Sequence, residues 1–397
     1  MATLNETPRS GRLHIGIFGK RNAGKSSLIN VLTGHQTSIV ADLPGTTTDP
    51  VYKSMEIHGL GACVLIDTAG FDDEGAVGNL RLEKTQQALS KADMAILLLS
   101  GDKWEQEKEW HTRIKKQDTP CLVAFAKADL PGTEGMVAQA EKKFGVPILQ
   151  VSAHSSQGIE ELREALLRLL PENWEGPSLL GGLIRQGETA LLVMPQDIQA
   201  PKGRLILPQV QVLRSLIDRQ CLALVTTAVN LGAALAALSA PPDLIITDSQ
   251  VFGQVYTQKH ASSRLTSFSI LMAASKGELD LLVEGARALM KLGARSSVLI
   301  AEACTHAPLS EDIGREKIPA LLRKRFGSSI QVKVVSGTDF PTDLASYDLI
   351  IHCGACMFNR KYMLSRQDKA KNQNIPMTNY GLALAWFSDI LDKIALP

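Results

Sequence analysis

The chain has almost no excess of charge: 42 lysines and arginines stand against 41 aspartates and glutamates in 397 residues, a formal charge of +1. It also lacks a long basic block, so neither a nucleic acid nor an anionic membrane is expected as its main partner. The opening residues MATLNETPRS have no apolar core of the kind a secretory signal needs, and a cytoplasmic protein is expected. One stretch, between Arg219 and Asp243, has no charge at all and is long enough to raise a membrane span. Its parts argue otherwise. CLALVTT reads as a β-prone strand, Asn230 and Gly232 interrupt, and AALAALSA reads as a small-residue helix stopped by Pro241 and Pro242. What remains is an ordinary globular composition, 45% hydrophobic and 21% charged, sufficient for several cores and for two or three domains.

The strongest local signal lies near the start. RLHIGIF, residues 12–18, reads as a short buried strand and runs into Gly19-Lys-Arg-Asn-Ala-Gly24-Lys25-Ser26, followed by the helical pattern SLINVLTG. This is a phosphate loop in its proper strand–loop–helix context. The glycines let the backbone curl so that its N–H groups face a β-phosphate, and the helix adds its positive end. Lys25 reaches the β- and γ-phosphates, and the Ser26 hydroxyl helps hold Mg²⁺. Downstream, LPGTTTDP offers hydroxyls to the same metal, with Thr47 preferred over Thr46 and Thr48. CVLIDTAGF delivers Asp67 to the metal region and lets Gly70 approach the γ-phosphate. MAILLLS, PCLVAFAKADL and ILQVSAHS supply further strands at intervals that suit an α/β sheet.

Residues 12 to about 170 therefore resemble a translation-factor-related small GTPase domain. The resemblance places Gly19, Asn22, Ala23, Gly24, Lys25, Ser26 and Ser27 around the phosphates and the switch threonine on the TTT run. It puts D-x-x-G on Asp67 to Gly70, the base-reading N-K-x-D on Ala126 to Asp129, and the S-A loop on Ser152 and Ala153. Asp129 accepts from the ring N–H and exocyclic amine of guanine, which adenine does not offer, and Lys127 lays its stem over the base. GTP with Mg²⁺ is thus expected rather than ATP. Two departures bear on performance. Ala126 replaces the family's asparagine, removing an amide whose hydrogen bond is worth on the order of 1 kcal/mol, so weaker nucleotide binding is expected. Phe71 stands where signalling GTPases place the glutamine that orients the attacking water, so intrinsic hydrolysis is expected to be slow. Asn22 with the GTTTD loop resembles the potassium-assisted members, which implies a K⁺ ligand at Asn22; the alternative is that Asn22 only braces the loop. Lys25, Thr47, Gly70 and Asn22 are the residues assigned to catalysis.

Past Leu170 the pattern changes. PENWEGPSLLGGLIRQGE reads as a linker, and TALLVMPQD, RLILPQVQVLRSLID, CLALVTTAVN and DLIITDSQ alternate strand with helix, without a second phosphate loop. APKGRLILPQ supports an ordered turn, with Lys202 and Arg204 as possible contacts to an anion or partner. The apolar residues of 220–240 suit a subunit interface as well as an internal core.

Cys63, Cys121 and Cys221 lie in apolar strands and read as small buried hydrophobes. The other three of the six cysteines differ. SSVLIAEACTHAP is a strand leading to Cys304 and His306, and YDLIIHCGACMFNR is a strand leading to His352, Cys353 and Cys356. Both clusters leave the carboxyl ends of apolar strands, where an open α/β sheet places its ligand crevice. The residues leave three chemistries open. Zinc would take the three thiolates and one histidine. A Cys353–Cys356 disulfide would fit a redox C-x-x-C pair. An iron–sulfur cluster on three thiolates would keep one iron with an exchangeable or non-cysteine ligand.

The combination of Cys304-Thr305-His306 and His352-Cys353-Gly354-Ala355-Cys356 with a GTPase domain resembles the [FeFe]-hydrogenase maturation GTPases, the HydF family, over nearly the whole chain. That resemblance implies an α/β protein of three domains: a P-loop GTPase over 1–172, a dimerisation domain over 173–262 and an iron–sulfur domain over 263–397. It implies a [4Fe–4S] cluster on Cys304, Cys353 and Cys356, with His306 or His352 as fourth ligand or as outer support. The implied cargo is a transient diiron ([2Fe]) subcluster precursor received from two radical-SAM maturation enzymes and passed to apo-[FeFe]-hydrogenase by a homodimer. The competing functional expectation is a signalling-type GTPase carrying an accessory structural zinc domain.

Overall fold

The computed structural model describes residues 8–33, 50–71, 75–172, 174–194, 205–303 and 312–397. Thr46, Thr47, Thr48, Lys202, Arg204, Cys304 and His306 lie outside the described residues. The chain divides into two compact units, Met1–Glu175 and Gly176–Pro397.

In the first unit the strands are β1 (Leu13–Phe18), β2 (Val51–Ile57), β3 (Gly61–Asp67), β4 (Met94–Leu99), β5 (Cys121–Phe125) and β6 (Leu149–Gln150). The helices are α1 (Lys25–Thr33), α2 (Gly75–Leu89), α3 (Glu105–Lys116), α4 (Thr133–Phe144) and α5 (Ile159–Leu169). The sheet order is β2-β3-β1-β4-β5-β6, with only β2 antiparallel to its neighbour. LHIGIF and MAILLL are buried at every position, as parallel strands covered by helices on both faces must be. Edge strand β2, reading VYKSMEI, is mostly exposed or half-buried. Helix α5 shows how little is needed to seat a covering helix: Ile159, Leu162 and Leu166 form its buried stripe, Glu160 and Glu161 sit in its first turn, and Arg168 in its last. It begins at Gly158, which has φ 73°, and a Cβ there would lie 2.0 Å from the Gln150 carbonyl oxygen. Only glycine lets the chain turn that close to β6.

The second unit holds two four-stranded parallel sheets. Its strands are β7 (Thr189–Val193), β8 (Leu222–Thr226), β9 (Leu244–Thr247), β10 (Arg264–Ser267), β11 (Ser297–Glu302), β12 (Gln331–Ser336), β13 (Leu349–His352) and β14 (Met377–Asn379). Its helices are α6 (Leu207–Asp218), α7 (Leu231–Ala236), α8 (Phe252–Gln258), α9 (Phe268–Lys276), α10 (Leu279–Ala288), α11 (Ile318–Phe326), α12 (Arg360–Asn372) and α13 (Tyr380–Phe387). The orders are β10-β9-β7-β8 and β12-β11-β13-β14. One apolar cluster takes residues from both sheets, Leu191 and Ile245 with Leu299 and Ile350, together with Ile270 of α9 and Leu382 of α13. That shared core is why 176–397 forms a single compact body. Helix α9, FSILMAASK, is buried almost all round, as a helix packed on every side must be. Ser267 caps it by accepting from the Ile270 N–H at 3.3 Å. The LPQ of APKGRLILPQ opens α6, where Pro208 sits in the first turn and the Gln209 side-chain oxygen accepts from the Ile206 N–H at 3.2 Å.

The uncharged run resolves into β8 and α7, and among the described residues no helix is long and apolar enough to cross a membrane. Its apolar side chains are not all internal. β8 is an edge strand, with Leu222 64% and Val225 47% exposed, and Val229 beyond it is 91% exposed. The same edge position accounts for Cys221, which is half-buried rather than buried: it heads β8 and turns its thiol to the Arg185 carbonyl at 3.2 Å.

Candidate functional site

The nucleotide centre forms where β1, β3, β5 and β6 end. Gly19 must be glycine because a Cβ there would lie 2.7 Å from the Leu98 carbonyl oxygen, and Gly24 because its φ is 99°. Asn22 also has positive φ, 58°, a conformation asparagine tolerates, and it is exposed. Lys25 is buried and its Nζ donates to the Gly19 and Lys20 carbonyls at 2.9 and 2.7 Å, so the ammonium rests over the loop's own rim. The Ser26 hydroxyl donates to the Asp67 carboxylate at 2.6 Å, which joins the two groups expected around Mg²⁺. Gly70 follows at the end of the same loop, and Phe71 is buried, stacked on Trp110 of α3 with centroids 5.3 Å apart. Its ring is committed to the core under the sheet and orients no water.

Beside the phosphate loop lies a cavity of about 430 Å³ whose lining includes Gly24, Ser27, Ala126, Lys127, Asp129 and Ala153. Asp129 is held below the usual carboxylate range, chiefly by a hydrogen bond from Ser152, which keeps it an acceptor. Ser152 is fully buried and its Oγ also accepts from the His154 and Ser155 N–H groups. Lys127 takes φ 57°, is exposed and lines the cavity. Ala126 is buried and presents only a methyl group where an amide would reach toward the phosphate loop. The structure thus gathers Gly19 to Ser27, Asp67, Gly70, Lys127, Asp129, Ser152 and Ala153 along one edge of the first sheet. Thr47 lies outside the described residues.

The second centre forms where β11 and β13 end side by side, Ala301 in register with His352. One helix and one strand, α11 and β12, separate the two in sequence, as the intervening length suggests. The Cys353 Sγ accepts from the Ala303 N–H at 3.1 Å and the Ala355 N–H at 3.4 Å. Burial pushes its thiol up to about 11. Cys356 is half-buried, and no disulfide joins it to Cys353. Cys304, which follows Ala303 in the chain, and His306 lie outside the described residues, and among the described residues no group of three or more His, Cys, Asp or Glu side chains is arranged to hold a metal.

His352 is fully buried, and burial with the neighbouring Arg366 lowers its pKa to about 3, so its ring is neutral. Its Nδ1 is 2.8 Å from the Cys353 carbonyl and its Nε2 is 2.8 Å from Arg366 Nη1. A carbonyl only accepts and a guanidinium only donates, so the proton is on Nδ1 and Nε2 accepts. Both ring nitrogens are engaged within the protein. Arg366 is itself 3% exposed, with its guanidinium carbon 4.5–4.8 Å from the ring centres of Phe340, Phe358 and Tyr362. Neither Arg366 nor Lys276, whose Nζ reaches the cysteine loop, stands out in the sequence. Each reads as an ordinary exposed cation on a helix, and only their long-range partners distinguish them.

Comparison with known proteins divides the chain as its two centres do. Residues 14–127 match the family profile described as a 50S ribosome-binding GTPase, so the first unit is a GTPase domain. Residues 179–277 match the hydrogen maturase F dimerization domain, and residues 280–397 the hydrogen maturase F tetramerization domain. GTPase Der of Wolinella succinogenes is 34% identical over 177 residues, covering 42% of this chain and 37% of Der. The tRNA modification GTPase MnmE of a Synechococcus species is 36% identical over 170 residues, 42% of this chain and 35% of MnmE. The chain thus spans just over a third of the length of these relatives. Among solved structures, the G domain of the T. maritima FeoB iron transporter matches at 23% identity, covering 40% of this chain and 99% of its own, with a TM-score of 0.33. Era in complex with MgGDPNP and 16S ribosomal RNA matches at 20% identity, 55% and 93%, with a TM-score of 0.36.

Proposed function

Because this chain belongs to the hydrogen maturase F family, we propose that it is a GTP-hydrolysing scaffold. In this reading it holds an iron–sulfur cluster on Cys304, Cys353 and Cys356, receives a diiron precursor from two radical-SAM maturation enzymes, and delivers it to apo-[FeFe]-hydrogenase. The observation that carries the reading is the setting of Cys353, a thiol at the carboxyl edge of a parallel sheet with two backbone N–H groups aimed at its sulfur. Burial outweighs these two donors and keeps the lone group a thiol, but a bound metal would draw off that proton and leave a thiolate the two N–H groups are placed to stabilise. Soft thiolate donors fit iron, and three of them leave one iron with an exchangeable position, which is the chemistry the cluster supplies when bound. His352 is a support, not a ligand: its Nε2 lone pair is taken by Arg366, and its Nδ1–H fixes the Cys353 carbonyl. Iron and sulfide per chain after anaerobic reconstitution, with activation of apo-hydrogenase, test this function. Zinc without sulfide would overturn it.

At the nucleotide centre the residues work by position and charge. Lys25 leaves its carbonyl rests for the β- and γ-phosphates, Ser26 and Asp67 take the Mg²⁺ side, and Asp129 and Lys127 read guanine. With Phe71 buried, no side chain at that position orients water. A K⁺ ion held by Asn22 is the proposed substitute for a missing catalytic charge. GTP turnover is expected to be several-fold faster in K⁺ than in Na⁺ at equal ionic strength; equal rates would remove Asn22 from the catalytic set.

The homodimer is proposed to form through β8. A hydrophobic strand with one unpaired edge is a template for a second strand. A two-fold axis would pair β8 with its copy antiparallel, since an isologous contact sets residue i against residue j and j against i. Covering what remains exposed of Leu222 and Val225 contributes about half of the roughly 1.5–3 kcal/mol that full burial of such a side chain is worth, twice over in a symmetric pair. The double variant Leu222→Asp, Val225→Asp is expected to halve the mass measured by light scattering while leaving GTP turnover in place. An unchanged mass would exclude this edge.

A further inference from the structure

Lys276 ends α9, whose other side chains are almost all apolar, and is only 7% exposed. Its Nζ donates to three backbone carbonyls of the cysteine loop: Ala355 at 2.9 Å, Cys356 at 3.1 Å and Phe358 at 2.5 Å. A neutral amine has two N–H bonds, so three carbonyl acceptors define an ammonium. None of these bonds goes to a carbonyl of α9, so the side chain is not a helix cap. Burying an ammonium costs several kcal/mol unless it is compensated. Among the described residues no carboxylate is within ion-pair distance of it, and the ionisable groups that face it are Cys353 and Cys356. Arg366, the other buried cation near this loop, differs: three aromatic rings and the Gly337 carbonyl surround it, and His352 lies between it and the cysteine loop.

The loop itself needs holding. Ala355 sits in the left-handed region at φ 53°, a conformation that strains a residue with a Cβ. Its carbonyl is one of those that Lys276 grips, so the ammonium restrains the strained residue between the two cysteines. Resting on the reading of Cys353 and Cys356 as thiolate ligands, we propose that Lys276 is a positioning residue of the cluster site. It clamps loop 353–358 in its ligating shape and fixes a positive charge that favours the reduced, more negative state of an anionic cluster. The clamp also crosses a family boundary, because Lys276 lies in the segment matched by the dimerization domain, one residue before its end, while the loop lies in the segment matched by the tetramerization domain.

The test compares Lys276→Met, Lys276→Gln and Lys276→Arg with the wild type as full chains after anaerobic reconstitution. Iron and sulfide, far-ultraviolet circular dichroism and a dithionite titration followed by electron paramagnetic resonance are measured on each. At a fixed solution potential the reduced-to-oxidised ratio is expected to fall at least about tenfold in Lys276→Met and Lys276→Gln, about 59 mV for a one-electron couple, while Lys276→Arg stays near wild type. Loss of iron from the two neutral variants, with dichroism unchanged and Lys276→Arg still loaded, equally supports the clamp. Full loading of Lys276→Met with an unchanged ratio overturns it, as does failure of all three variants to fold, which would make Lys276 a determinant of the core. A wild type without iron or sulfide would overturn the thiolate reading, and the clamp with it.

Discussion

Cys353→Ser is expected to lose nearly all of the iron that wild-type protein retains after reconstitution. The serine hydroxyl is hard, stays protonated and binds iron poorly in place of a soft thiolate. The position offers no alternative donor: its sulfur is where the Ala303 and Ala355 N–H groups converge, and the adjacent His352 has both nitrogens occupied. Cys304→Ser and Cys356→Ser are expected to behave alike, whereas His352→Gln should disturb the Cys353 carbonyl and lower cluster affinity about 10–100-fold, as losses of outer support do. Cys63→Ala and Cys121→Ala are the controls. Burial pushes both thiols up to about 12, and they sit in the first unit as packing groups. Iron, sulfide and the electron paramagnetic resonance of reduced protein decide the matter. A full cluster signal in Cys353→Ser alongside loss in Cys63→Ala would reverse the assignment.

Lys25→Ala is expected to reduce GTP turnover about 10²–10³-fold, the magnitude seen when one preorganised group that stabilises transition-state charge is removed. The fold should survive, because the Lys25 bonds to the Gly19 and Lys20 carbonyls lie within the phosphate loop rather than in the apolar core under the sheet. Iron content measured on the same preparation should be unchanged, since the cysteines belong to the other compact unit. Unchanged turnover would exclude this phosphate loop, and loss of iron together with turnover would indicate damage to the fold.

Much of this was legible in the sequence because it is local. A phosphate loop needs its glycines within a few residues of one another, and LHIGIF and MAILLL, short apolar runs bounded by loop residues, read as strands covered on both faces, as the structure has them. The placing of Asp67, Lys127, Asp129 and Ser152 on one edge follows from parallel strands that each end in a polar loop. Cys353 and Cys356 announce themselves by spacing, and their position after an apolar strand puts them at a sheet's carboxyl edge.

Other features depend on contacts that no window of sequence contains. Lys276 closes an apolar helix and reads as a solvated last-turn cation, yet its ammonium meets Ala355, 79 residues away. Arg366 sits in the helix RKYMLSRQDKAKN among polar neighbours, and its burial depends on Phe340 and Phe358 closing over it. His352 reads as ligand or as support alike in the sequence, and the partners of its two nitrogens, the Cys353 carbonyl and Arg366, come only from the fold. The run from 220 to 240 reads as core or interface alike, and the fold divides it, burying Leu231 while β8 takes the sheet's edge and leaves Leu222 and Val225 exposed. Residue type and spacing by themselves determined which chemistries this chain can carry. Which cations are buried, which histidine is spoken for and which apolar strand is left open were decided only when the packed sheets excluded water from some side chains and not from others, because the cost of a charge or of an apolar surface depends on what surrounds it.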